Sequence, residues 1–197
     1  MKVYNKSNLP TRYKELFKES LNTQQEQSLL WIIKRLESDT RIDYTHIASY
    51  MLATVKHECA NTYLPIKERG GRIYLSKYAY TTEIGKSLGN TKPGDDLKYP
   101  GQGFVMITGR GNYDRMGKRI KLNLIDNPQL VLVPQYAYEI MVVGMIEGLF
   151  TGRKIGKYIN TDIIDLLNAR RVINGLDRAE LIKQYAEKFH TLIDPWG

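Results

Sequence analysis

The stretch "DYTHIASYMLATVKHE", residues 43–58, decides the class of the fold. Its apolar residues Ile47, Ala48, Met51, Leu52 and Val55 recur at helical spacing, and at about 100° per residue they line one continuous stripe. This helix is expected to be mostly buried, with Asp43 as its cap. Upstream, "TQQEQSLLWIIKRLES" (23–38) repeats the pattern through Leu29, Leu30, Ile33 and Leu36, behind Asn22 and Thr23, either of which can cap it. Downstream, "QYAYEIMVVGMIEGLF" (135–150), "DIIDLLNARRVI" (162–173) and "RAELIKQYAEKFHTLI" (178–193) also read as helices. The last is opened by Asp177, with Glu180 three residues on, the spacing of a capping box. The expected class is mainly α.

Between 70 and 112 the texture changes: "GGRIYLSKYAYTTEIGKSLGNTKPGDDLKYPGQGFVMITGRGN" is rich in Gly, Tyr, Pro and Asp. A long loop region is expected here, with at most a small β element, for which "FVMIT" (104–108) is the best candidate. Loops of this length inside a compact domain tend to carry function, so the site is expected nearby.

At 197 residues and 42% hydrophobic content the chain can bury one good core, and a single domain over 1–197 is expected, with the helices of 5–38 part of it. The longest apolar runs are interrupted by charge or glycine, short of the roughly 20 residues a membrane span needs, so no stable membrane insertion is expected. No apolar segment follows the basic start "MKVYNKSNLPTRYKEL", which argues against a secretory signal and for a chain that first stays in a cytosol. One cysteine, Cys59, excludes an internal disulfide and a thiolate metal cluster. Lys and Arg outnumber Asp and Glu by 29 to 21, for a net charge of +8, which favours polyanionic partners. The basic residues are scattered, and no zinc-finger spacing or RNA-binding aromatic signature occurs, so nucleic acid is not the expected partner.

Two carboxylates frame the segment "HECANTYLPIKE" (57–68). Glu58, three residues after Val55, falls at the edge of the apolar stripe and is aimed toward the core side. Desolvation there would raise its pKa and favour the protonated form that a general acid needs. The plainer reading is a glutamate at a frayed helix end. His57 beside Glu58 brings to mind the zinc-protease motif, but that motif needs a second histidine four residues on, where Asn61 stands. No metal site is expected, and Cys59 reads as a small packed side chain. Glu68 lies beyond Pro65, in a segment that cannot simply continue the helix. Two carboxylates roughly 6.5 to 9.5 Å apart leave room for a water between base and sugar, the arrangement of an inverting glycosidase.

Two further segments, "YPGQGFVMITGRGNYDRMGKRI" (99–120) and "NARRVING" (168–175), resemble glycoside hydrolase family 19, the chitinase-like family, and more closely its phage endolysin members. In these an aromatic residue and Gly-x-Gly precede a short apolar run and then Thr-Gly-Arg-x-Asn-Tyr. With "HECANTYLPIKE" and "GNTKPGDD" (89–96), the resemblance runs from about residue 43 to 190. It implies a lysozyme-like, two-lobed domain that hydrolyses β-1,4 bonds between amino sugars by inversion, without metal or cofactor. It places the general acid on Glu58 and the base on Glu68, with Glu83 and Asp95 as rivals because the plant branch carries its base later. Thr108 matches the residue that holds the attacking water, and Tyr99, Gln102, Asn112 and Asn174 match substrate-contacting positions.

Each of these also has a structural reading: Thr108 ending a strand, Asn112 capping the helix "YDRMGKRI", Asn174 with Gly175 forming a turn. Met106 stands where many relatives carry glutamine, and Gln102 where many carry arginine, which bears on sugar contacts more than on the reaction. The implied substrate is peptidoglycan, an anionic wall polymer, cut by a monomer that waits in the host bacterial cytoplasm until a separate protein permeabilises the membrane. The alternatives are a chitinase and a non-catalytic wall-binding module.

Overall fold

The computed structural model describes residues 3–194. The chain is mainly helical, with one two-stranded sheet among the described residues. In order come α1 (Leu9–Phe17), α2 (Thr23–Ser38), α3 (Thr45–Glu58), β1 (Ile66–Lys67), α4 (Arg72–Leu75), α5 (Glu83–Ser87), α6 (Asp95–Lys98), β2 (Gln102–Gly103), α7 (Arg110–Ile120), α8 (Pro134–Glu147) and α9 (Ala179–Ile193). The chain divides into two compact units, one formed by 1–64 with 154–197 and the other by 65–153. No helix among the described residues is long and apolar enough to cross a membrane.

In the first unit α3 is the central element. Every residue from Ile47 to Lys56 is buried, so the helix is covered all round, as the broad apolar stripe predicts. α9 packs along it with Ile182, Ala186, Phe189 and Ile193 turned inward. Burying Lys56 is tolerated because its ammonium meets the Glu19 carboxylate and the Tyr13 hydroxyl, the latter at 2.7 Å. Tyr13 also exchanges a 2.7 Å hydrogen bond with Tyr63, so a cation, a carboxylate and two phenols satisfy one another inside an aromatic cluster. At α2, Asn22 takes the cap and Gln25 completes a capping box at 2.9 and 2.8 Å, worth about 1 kcal/mol.

Three sequence expectations need correction in this unit. Asp43 does not cap α3, which opens after Tyr44 without a side-chain cap. The capping box expected from Asp177 and Glu180 does not form: the helix begins one residue past a left-handed Arg178 (φ 56), and the Asp177 carbonyl accepts from Arg170 Nε at 3.0 Å. The stretch 162–173 is not one helix. Ile164 bridges back to Ile159, Asp165 accepts from the Asn168 backbone and amide at 3.0 and 2.9 Å, and only a 3-10 turn, Asn168–Val172, follows.

The second unit is built on α8, buried almost throughout from Ala137 to Met145, with α7 and the 3-10 turn Pro128–Leu132 against it. Its region expected as a long loop is a string of one-turn helices, α4 to α6. β1 and β2 pair antiparallel, Ile66 opposite Gly103 and Lys67 opposite Gln102. The strand therefore sits immediately before "FVMIT": Phe104 to Met106 form the turn that brings Ile107 back onto Gln102. Met106 occupies the left-handed region (φ 52), which a continuous strand cannot contain.

Candidate active site

In the second unit Glu68 follows β1 directly, and its backbone and side chain both grip Gly101. The Glu68 N–H donates to the Gly101 carbonyl at 2.7 Å, and the Gly101 N–H donates to Glu68 Oε1 at 2.5 Å. This fixes one carboxylate oxygen at the end of the small sheet. A side chain at Gly101 would be crowded: a Cβ there would lie 3.1 Å from Glu68 Oε1 and 3.2 Å from Thr108 Oγ1. Carboxylate and hydroxyl therefore border the same small space. Thr108 donates its proton to the Met106 carbonyl at 2.8 Å, which leaves its lone pairs to accept. Met106 itself is left-handed (φ 52), a backbone cost of the kind that gathers at functional sites.

Around this pair the segments 89–96 and 109–112 do structural work. Asn90 is buried, donating from its amide to the Tyr78 carbonyl at 2.7 Å and accepting from the Arg110 N–H at 2.7 Å at the start of α7. Asp95, 2% exposed, takes a bidentate grip from Arg110 at 2.8 and 2.7 Å and the N–H groups of Thr91 and Lys92 at 2.8 and 2.9 Å. Burial alone would raise the Asp95 pKa, but Arg110 and the two backbone donors outweigh it and hold it below the usual carboxylate range. With its oxygens so committed, Asp95 acts as a clamp on α7. Glu83, the other rival, is exposed in the first turn of α5. Gly109 (φ 88) and Gly111 let α7 begin against Leu88 and Gly89, where a Cβ on Gly109 would come within 2.5 Å of Leu88.

The expected sugar contacts fare unevenly. Tyr99 is 0% exposed, its hydroxyl donating to the Ile125 carbonyl at 2.9 Å and its ring 5.2 Å from that of Tyr113. No face is left for a sugar, so Tyr99 is corrected to a core residue. Gln102 is buried in β2. Asn112 does not precede α7 as a cap but lies in its first turn, its amide donating to the Thr108 carbonyl at 2.8 Å, so it steadies the residue beside Glu68. Glu68, Thr108 and Asn112 are thus brought together.

In the first unit Glu58 is the last residue of α3, 15% exposed. The uncompensated apolar edge expected from the sequence is not what it meets: Arg170 Nη1 donates to Glu58 Oε1 at 2.7 Å, and that guanidinium is 3% exposed. Arg170 was missed because its partner lies 112 residues away; the available signal was a cation inside the apolar run "LLNARRVI". Burial lowers the neighbouring His57 pKa below its usual value, the Glu58 charge opposing and Arg170 reinforcing. Immediately after Glu58, Ala60, Asn61 and Tyr63 are all left-handed (φ 48, 64 and 56). The turn is held by Gln25 Nε2 donating to the Asn61 carbonyl at 2.9 Å and by the buried Tyr63 hydroxyl. Asn174 is exposed and closes on its own chain, accepting from the Gly175 N–H at 2.8 Å. Cys59 is buried at the helix end.

Chemically, the second unit offers a fixed carboxylate and a hydroxyl on either side of Gly101, and the first a carboxyl group backed by a buried cation. No group of three or more His, Cys, Asp or Glu side chains among the described residues is placed to hold a metal. Against known protein families the chain matches none, and no curated protein matches it.

Proposed function

We propose that this chain is an endolysin-type glycoside hydrolase with a lysozyme-like fold, cutting β-1,4 bonds between the amino sugars of peptidoglycan with inversion. The observation that carries the reading is that Glu68 Oε1 and Thr108 Oγ1 flank the same residue, lying 3.1 and 3.2 Å from where a Cβ on Gly101 would stand. A water held between these two oxygens, clear of the Gly101 α-carbon, would donate one proton to Glu68 and the other to Thr108, leaving a lone pair free to attack an anomeric carbon. Glu68 takes the proton as the C–O bond forms. Glu58 supplies a proton to the departing glycosidic oxygen, and Arg170 offsets the negative charge left on it. The host cytoplasm is the proposed waiting place before release to the wall.

Mass spectrometry and early NMR on purified peptidoglycan test this together. New sugar reducing ends are expected, born as the α-anomer because water attacks the face opposite the leaving oxygen. Glu68→Gln should reduce their release by roughly 10² to 10⁴-fold. Peptide fragments without new reducing ends would end the glycosidase reading, β-anomeric product would replace the water with a covalent route, and faster cleavage of N-acetylglucosamine polymers would make the chain a chitinase.

A further inference from the structure

Beside Glu68 the second unit carries a cation held by aromatic rings. Lys77 lies in the 3-10 turn Ser76–Tyr78 that follows α4, and its ammonium sits 3.5 Å from the ring centroid of Tyr74 and 4.7 Å from that of Tyr78. The Tyr78 hydroxyl in turn approaches Glu68 Oε2 at 3.4 Å. One side chain therefore separates Lys77 from the proposed base. Lys56, Lys6 and Lys118 each meet a carboxylate. No carboxylate lies within ion-pair distance of Lys77 among the described residues. Among the described residues it is met by the rings and hydroxyls of Tyr74 and Tyr78.

Two rings fix the position of an ammonium without neutralising it. Such a group presents N–H donors and a full charge to whatever lies beside Glu68. A neutral sugar polymer has only hydroxyls and acetamides to offer, and would desolvate part of that charge without repaying it. A glycan bearing carboxylates forms a charge-assisted hydrogen bond instead. Resting on the glycosidase reading, we propose that Lys77, framed by Tyr74 and Tyr78, is an anion-recognition subsite that takes a carboxylate of the glycan and so selects muramyl-containing strands over neutral amino-sugar polymers.

In peptidoglycan that carboxylate has two sources, the stem peptide and, once the peptide is removed, the lactyl group. Release of reducing ends is measured at high salt, where diffuse attraction is screened. The substrates are native wall, wall whose peptides an amidase has removed, and wall whose carboxylates are all amidated by carbodiimide coupling. The unsubstituted enzyme should prefer native to fully amidated wall by about ten- to a hundredfold. Lys77→Met should erase that preference, and Lys77→Arg should keep most of it. Preference retained on the amidase-treated wall assigns the lactyl carboxylate, and preference lost there assigns the stem peptide. Should Lys77→Met not fold, Lys77→Gln replaces it.

Equal loss by Lys77→Met on native and amidated wall would overturn the inference and leave Lys77 a structural residue. So would an unsubstituted enzyme that ignores amidation. Absence of new reducing ends from every wall would instead overturn the glycosidase reading, and this subsite with it.

Discussion

Gly101 illustrates how much of the site depends on an atom that is missing. Its N–H fixes Glu68, and its lack of a side chain keeps carboxylate and hydroxyl facing one space. Gly101→Ala puts a methyl 3.1 Å from one and 3.2 Å from the other. Because the neighbours need yield only a few tenths of an ångström, the fold should survive with a Tm lowered by a few degrees. Turnover should fall at least a hundredfold, since the methyl pushes apart the two oxygens that would hold the attacking water; near-normal turnover would show that this pair does not hold it. Glu58→Gln makes a cleaner subtraction: the amide oxygen still accepts from Arg170, but no proton can be delivered. Steady-state cleavage should drop roughly 10² to 10⁴-fold, with the Tm lowered by several degrees because buried Arg170 keeps a hydrogen bond but loses the charge opposite it. Loss of folding instead would mean that the Arg170 pair is held for stability. At this scale the sequence singled out Glu58 and Glu68 by their places at a helix end and beyond a proline, and Thr108 by the motif resemblance; the structure sets Glu68 and Thr108 on either side of Gly101. Arg170 was not legible, since nothing local records a partner across 112 residues. Tyr99 was misread because an aromatic beside a glycine motif looks the same in sequence whether it faces a ligand or Tyr113.

At the level of elements, the short pieces α4 to α6 lack the length to persist alone, so their placement rests on side-chain clamps. Asp95 is the principal one, joining α6 to α7 through Arg110 and gathering the backbone of Thr91 and Lys92. Its folded pKa lies below the unfolded value of about 3.9. The stability it adds is therefore complete above that unfolded value and is lost as pH falls through the folded one. Thermal melts from pH 7 down to pH 2 should show this. The unsubstituted protein should lose stability steeply below about pH 4, and Asp95→Asn should start lower at pH 7 and decline less steeply. Parallel curves would place the acid sensitivity elsewhere. The long buried helices were readable because their apolar residues recur with the helical period. The stretch 162–173 carries a similar pattern, yet Asp165 turns its carboxylate onto Asn168 and Ile164 pairs with Ile159. A local side-chain bond there outcompetes the helix, a choice that periodicity cannot register.

Across the whole molecule, charge is spread where the candidate chemistry is concentrated. The second unit interrupts the first, leaving it after Leu64 and returning at Lys154, and no long Gly- or Ser-rich linker marks either passage in the sequence. The net +8 belongs to scattered lysines and arginines, and scattered charges act over about a Debye length, about 8 Å at physiological salt. Lysis of whole walls should accordingly weaken as salt rises, through slower capture of an anionic surface. A short, neutral amino-sugar oligomer, where it is cleaved, should be cut at a rate that salt hardly changes. Equal salt sensitivity on both substrates would remove the attraction argument and leave the charge to serve solubility. Lys77 separates local from diffuse charge in the same experiment. Removing one cation of twenty-nine basic side chains should leave the steepness of the salt response nearly as it was. The same substitution should erase the preference for carboxylate-bearing glycan at a salt concentration where the diffuse field no longer acts. If instead the salt response itself collapses in Lys77→Met, wall capture depends on that one ammonium, and the spread of the remaining charge is incidental.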